Sequence, residues 1–246
     1  MTATQKPPAL SIQIPPASRG SDDTDTPACG GQGGVNSTRN YADTDGTLQD
    51  INLGNGDWRG ATAISSPTDK GGRGVNNRKI FVDNTGKVKF YDMDNTEQTA
   101  EALTLGTGDW QDVTRIGTDK LGFLDRQAGA VRIYSTTRTR QPADDITFPF
   151  RANYRSIAYY EDTNGDVKLA VVIEDLGMLL VWDIATATFE TDTSFETIPG
   201  SRDWQSVCLH PDGHLLLIRA QSPRAIAFRT TNTRDPTKDI RLVPSL

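Results

Sequence analysis

Aspartate beside tryptophan recurs along this chain, as Gly56-Asp57-Trp58, Gly108-Asp109-Trp110 and Arg202-Asp203-Trp204. Asn153-Tyr154 holds the corresponding place between the second and third of these, with Tyr in place of Trp. An indole is an apolar plate with one N–H donor, and a carboxylate accepts hydrogen bonds. Together they suit a sugar, whose ring has a C–H face and a rim of hydroxyls. Asp112, two residues past Trp110, adds a carboxylate. The predicted ligand-binding residues are therefore Asp57, Trp58, Asp109, Trp110, Asp112, Tyr154, Asp203 and Trp204. The same pattern admits a structural role, because aromatics repeated once per unit wedge neighbouring units together. The aspartates then cap turns through backbone N–H groups.

Other chemistry finds little material. Asp162-Thr163-Asn164-Gly165-Asp166 and Asp43-Thr44-Asp45-Gly46 resemble pieces of calcium loops but lack the closing bidentate carboxylate. They read as hairpin turns, and no metal site is expected. His210 and His214 flank one turn without a third ligand. Cys208 reads as a small hydrophobe on an inner strand, and two cysteines do not make a disulfide-built scaffold. Gly54 and Gly56 precede a strand rather than a helix, which excludes a dinucleotide fingerprint. No Gly-x-Ser-x-Gly elbow occurs. The expectation is a chain that is not an enzyme and needs no cofactor.

The elements that position these residues form a repeat. Anchors at 58, 110, 154 and 204 are separated by 52, 44 and 50 residues. A short strand ending in an aromatic follows each one: Lys87 to Tyr91, Val131 to Tyr134, Leu179 to Trp182 and Ala225 to Phe228. Each unit reads as four strands, A to D. Gly86, Gly129 and Gly177 supply the positive φ that three of the tight turns between B and C require. The fourth strands are predicted at Leu103–Leu105, Ile146–Phe148, Phe195–Ile198 and Ile240–Val243. No stretch sustains a helical period. Four-stranded units at this spacing are propeller blades. The fold class is all-β: a β-propeller of four recognisable blades over residues 41–246, with a degenerate fifth as an alternative. Leu48 to Leu53 is a spare strand that closes the ring against the last blade, belongs to that fifth blade, or pairs with another subunit. Strand direction puts the loops from D to A, which carry the anchors, on the same face as the B-to-C turns.

Residues 1–40 are different material, with Pro7, Pro8, Pro15, Pro16 and Pro27 before Gly30, Gly31, Gly33 and Gly34. Such composition cannot offset its ordering entropy, so an extended arm is expected, with Leu10, Ile12 and Ile14 placed to pair with a sheet edge. The formal net charge of −6 argues against nucleic acid and anionic membranes as partners. No apolar run approaches the roughly 20 residues of a membrane span. The first residues do not read as an ordinary secretory signal, so a cytoplasmic or virion-associated location is expected.

Leu105-Gly106-Thr107-Gly108-Asp109-Trp110-Gln111-Asp112-Val113 resembles the opening of a repeat in tachylectin-type β-propeller lectins. Pro211-Asp212-Gly213-His214 is similar to their turn, and Gly86-Lys87-Val88-Lys89-Phe90-Tyr91 to their last strand. The resemblance covers about residues 48–246 in four divergent copies. It implies a non-enzymatic module that binds N-acetylated amino sugars on glycans or glycoproteins. The departures are Gly-Asp-Trp for Gly-Gly-Trp and Tyr154 for one Trp. The alternative function is assembly: a structural part of a larger particle, such as a virion or surface complex, in which the arm tethers the propeller to a neighbouring protein or a second copy of the chain.

Overall fold

A computed structural model describes residues 38–42, 48–64, 78–92, 95–190, 204–210, 213–219, 224–230 and 235–241. Residues 1–37 of the arm, Asp203, the Asp43 to Gly46 turn and residues 195–198 lie outside the described residues, while the arm's last residues enter a strand at Thr38–Ala42. The first blade holds β3 (Trp58–Ile64), β4 (Arg78–Asp83), β5 (Lys87–Tyr91) and β6 (Leu103–Thr104). The second holds β7 (Trp110–Ile116), β8 (Lys120–Asp125), β9 (Ala130–Ser135) and β10 (Ile146–Thr147). The third holds β11 (Tyr154–Glu161), β12 (Val167–Ile173), β13 (Met178–Asp183) and β14 (Thr188–Phe189). The fourth holds β15 (Trp204–Leu209), β16 (His214–Arg219), β17 (Arg224–Arg229) and β18 (Ile240–Arg241). Each is an antiparallel sheet in chain order, and together they form a four-bladed β-propeller. Among the described residues no helix is long and apolar enough to cross a membrane.

The second strands read as near-continuous apolar runs because both faces of a blade are covered by its neighbours. Leu169, Ala170, Val171, Val172 and Ile173 are all fully buried. The innermost strands pack in succession, β3 on β7, β7 on β11 and β11 on β15. Gly86, Gly129 and Gly177 take φ values of 85°, 62° and 62°, as the turns between second and third strands require. The fourth strand of the third blade is Thr188–Phe189, pairing through Trp182 and Phe189, rather than the predicted 195–198.

The spare strand finds its own partner. β2 (Leu48–Asn52) pairs antiparallel with β1 (Thr38–Ala42), and β17 keeps β18 beside it. β2 therefore does not displace the last strand of the fourth blade. From this hairpin Ile51 and Leu53 pack against Trp58, Ala61, Phe81 and Tyr91. Leu53 to Trp58 repeats the Leu-Gly-x-Gly-Asp-Trp order of Leu105 to Trp110. The hairpin thus covers the first blade on the side where each later anchor meets a preceding blade.

The anchors are wedges. Trp110 packs between Ile80, Val82 and Phe90 of the first blade and Val113 and Phe123 of its own. Tyr154 does the same between the second and third blades, and Trp204 between the third and fourth. None of the four aromatics keeps more than 2% of its surface exposed. This corrects the expectation that Trp58, Trp110, Tyr154 and Trp204 stack on a ligand. The space beside each ring is filled by the preceding blade or by the β1/β2 hairpin, which is where the apolar area is buried. Cys208 is buried on β15 beside Leu216, Ile218, Ala225 and Ala227, as a small hydrophobe on an inner strand should be, and it is disulfide-bonded. The sequence holds one other cysteine, Cys29, outside the described residues.

Candidate functional site

Immediately after each anchor the pairing register slips, between Trp58 and Gly60, Trp110 and Asp112, Tyr154 and Ser156, and Trp204 and Ser206. A bulge of this kind re-aims the extra residue. The four bulge residues are Arg59, Gln111, Arg155 and Gln205, so guanidinium and amide alternate around the propeller. Arg155 is buried and donates to Gln111 Oε1 at 3.1 Å and Gln205 Oε1 at 3.2 Å, from the two adjacent blades. Glu174 Oε2 lies 3.8 Å from its Nε. Burial lowers the Arg155 pKa, Glu174 works against that, and Arg59 and Arg126 add to the lowering. Arg59 pairs with Asp57.

The network continues outward from this ring. Gln111 Nε2 donates to Asp109 Oδ1 at 2.5 Å. Asp109 Oδ2 accepts from Arg126 Nε at 2.6 Å and lies 2.5 Å from its Nη2. Arg126 Nη1 reaches Asn153 Oδ1 at 3.0 Å, and Asn153 N–H donates to Asp175 Oδ1 at 3.3 Å. Loop and turn are also joined by backbone bonds, from Arg126 N to Asp109 O at 2.9 Å and from Glu174 N to Asn153 O at 3.0 Å. These bonds set the anchor loops and the B-to-C turns on one face, as strand direction predicts.

Between the second and third blades this face opens into a cleft of about 510 Å3 lined by Asp109, Arg126, Gln127, Arg151, Asn153 and Asp175, with Ala152. That volume suits a small ligand. Next to Asn153 in the chain, Tyr154 is fully buried, and its hydroxyl donates to Phe150 O at 2.5 Å. Burial, with help from Asp175, pushes the Tyr154 phenol up to about 12. A raised phenol pKa contributes stability that is whole below the ordinary value near 10 and lost as pH rises through the folded value. Tyrosinate absorbance in alkali should lose a step near pH 12 in Tyr154→Phe, leaving the later titration of Tyr160, whose phenol burial raises further. Retention of that step in the variant would refute the assignment.

Of the predicted site residues, Asp109 lines the cleft, while Asp57 belongs to the Arg59 pair on the same face. Asp112 is corrected. It is buried, and its Oδ2 accepts from Ser156 Oγ at 2.5 Å and Ile157 N at 3.0 Å, so it staples blades rather than meeting a ligand. Sequence reasoning missed Arg126, Gln127, Arg151, Asn153 and Asp175. Asn153 stands where the other copies have Asp, and Arg126, Gln127 and Asp175 sit in turns assigned to the anchor face. That placement was the available signal.

On the opposite face Lys168 Nζ sits among Glu190, Asp162 at 3.4 Å and Asp183 at 3.6 Å. Asp162 Oδ1 also accepts from Asn164 N at 2.8 Å and Asp166 N at 3.0 Å. The calcium-like segment is therefore a turn closed by its own aspartate, with an ammonium where a divalent ion would sit. His214 faces Asp235 Oδ2 at 3.4 Å. Among the described residues no cluster of three or more His, Cys, Asp or Glu is placed to hold a metal.

No protein-family profile and no curated protein matches the sequence. Solved structures do. Virginiamycin B lyase from Staphylococcus aureus is similar with a TM-score of 0.51 at 10% identity, over 87% of this chain and 71% of that one. The catalytically inactive virginiamycin B lyase from the same organism with Quinupristin gives 0.50 at 11% identity, over 88% and 71%. A streptogramin B lyase gives 0.47 at 13% identity; 73% of this chain is covered, and the chain spans about half of that protein, 53%. At such identities the likeness shows the propeller fold alone. It nonetheless overturns the expectation of a chain that is not an enzyme, because propellers of this shape include lyases and the architecture gives no ground for excluding catalysis.

Proposed function

We propose that this propeller recognises glycans, and that the sugar sits in the cleft between the second and third blades. One observation carries the reading. The two large hydrophobic side chains left exposed among the described residues are Phe150, at 41%, and Leu176, at 51%. Each adjoins a polar residue of the cleft in the chain, Arg151 and Asp175 respectively. An exposed aromatic next in the chain to a cleft of carboxylates, an amide and guanidinium groups suits the two-sided chemistry of a pyranose. The resemblance to tachylectin-type repeats supports the same reading and points to amino sugars. The stacking role moves from the anchor tryptophans to Phe150, because the tryptophans are spent on blade contacts. Affinity at one such open site is weak and gains from display on several copies.

Glycan-array binding by the full chain tests the reading. Arg126→Ala removes the group that orients both Asp109 and Asn153, and should reduce binding about tenfold or more while the thermal midpoint changes little. Binding unaffected by Arg126→Ala and by Phe150→Ala would place the site elsewhere. A blank across the array would end the glycan reading.

A further inference from the structure

We propose, resting on the glycan reading of the cleft, that the sugar it takes is acidic and that Arg151 receives its carboxylate. The charged groups lining the cleft are Asp109, Arg126, Arg151 and Asp175. Arg126 is committed to Asp109 and Asn153. The neighbouring Arg155 is held by Gln111 and Gln205 and faces Glu174. Arg151 differs, because among the described residues it makes no hydrogen bond or ion pair, although it lines the same cleft and is exposed. Asp175 accepts only the 3.3 Å bond from Asn153 N–H among them and keeps further acceptor capacity.

An uncommitted guanidinium and an underused carboxylate therefore share one cleft without pairing with each other. A neutral sugar would cover Arg151 and strip part of its water without supplying an anion, which costs free energy. A sugar carrying one carboxylate supplies that anion in the planar geometry that matches the guanidinium fork. Its hydroxyls are left for Asp175, and its C–H face for Phe150. The chain as a whole is acidic, with 32 Asp and Glu against 26 Lys and Arg, so the attraction is local to the cleft.

The test is calorimetric titration of the full chain with matched pairs: glucuronate against glucose, and N-acetylneuraminate against N-acetylglucosamine. The acidic member of a pair should bind about tenfold tighter, with the preference shrinking as salt is raised. Arg151→Gln should erase the preference, chiefly by weakening the acidic member about tenfold, and Arg151→Lys should restore part of it. Which pair shows the preference separates a hexuronate from a sialic acid. Equal affinity within both pairs, or a preference that survives Arg151→Gln, overturns the acidic-sugar inference and leaves the glycan reading standing. Binding by neither member of either pair overturns both.

Discussion

Trp110→Ala should destabilise the propeller by about 3–5 kcal/mol, the range for removing a large buried aromatic. A domain holds only about 5–15 kcal/mol in total. The effect is large because the indole is wedged rather than displayed. Its ring packs on Ile80, Val82 and Phe90 of the first blade and on Val113 and Phe123 of the second, and its Nε1 donates to Gly106 O at 3.1 Å. The backbone of Gly86, in the turn of the preceding blade, lies so close that a β-carbon there would come within 2.6 Å of that nitrogen. Alanine leaves a cavity between two sheets that cannot close without shifting a blade. Urea denaturation reads the loss as a fall in midpoint, and Trp110→Phe should recover most of it. A displayed, sugar-stacking indole would give the opposite result, a folded protein that no longer binds. A midpoint unmoved in Trp110→Ala would therefore refute the wedge.

Asp112→Ala should cost about 2–5 kcal/mol, because it strands buried donors on two blades. Its Oδ1 accepts from Val113 N at 2.8 Å, and its Oδ2 holds Ser156 Oγ at 2.5 Å and Ile157 N at 3.0 Å. Ser156 Oγ in turn accepts from Val207 N at 3.1 Å, so one carboxylate begins a chain that ties the second blade to the third and fourth. On its other side Gly60 leaves room for this contact, since a β-carbon at that position would lie 2.5 Å from Asp112 Cα and 2.6 Å from Val113 N. Asp112→Asn keeps one acceptor oxygen and should lose less than Asp112→Ala. Hydrogen exchange at the Ile157 amide distinguishes this role from a general packing effect. That amide should lose protection selectively in Asp112→Ala, and unchanged protection would contradict the staple.

The two stability variants and the cleft variants fall on different sides of one boundary. Trp110 and Asp112 are buried between blades, so their replacement should be read first in the denaturation midpoint. Arg126 and Arg151 face the cleft, and their replacement should be read in binding while the midpoint holds. That division is itself a consequence of propeller architecture, in which strands carry packing and the loops at one face carry recognition.

The amino-acid sequence by itself determined the blades. Apolar runs such as Leu169 to Ile173 can be satisfied only between two covering layers, and turn glycines at 86, 129 and 177 impose the left-handed backbone that reverses the chain. These are local properties, legible from residue type and spacing. It also placed the anchor loops and the B-to-C turns on one face, since alternating strand direction leaves no other arrangement. Whether Trp58, Trp110, Tyr154 and Trp204 face a ligand or a neighbouring blade was not legible, because an aromatic repeated once per unit fits both. Only the packing of one blade on the next decided it. The cleft was hidden for the same reason. Asp109, Arg126, Arg151 and Asp175 are distant or unmotivated in sequence, and they meet because two loops and two turns from adjacent blades converge. Local chemistry fixes the repeat, whereas function at a seam between repeats depends on contacts that exist only after the blades have packed.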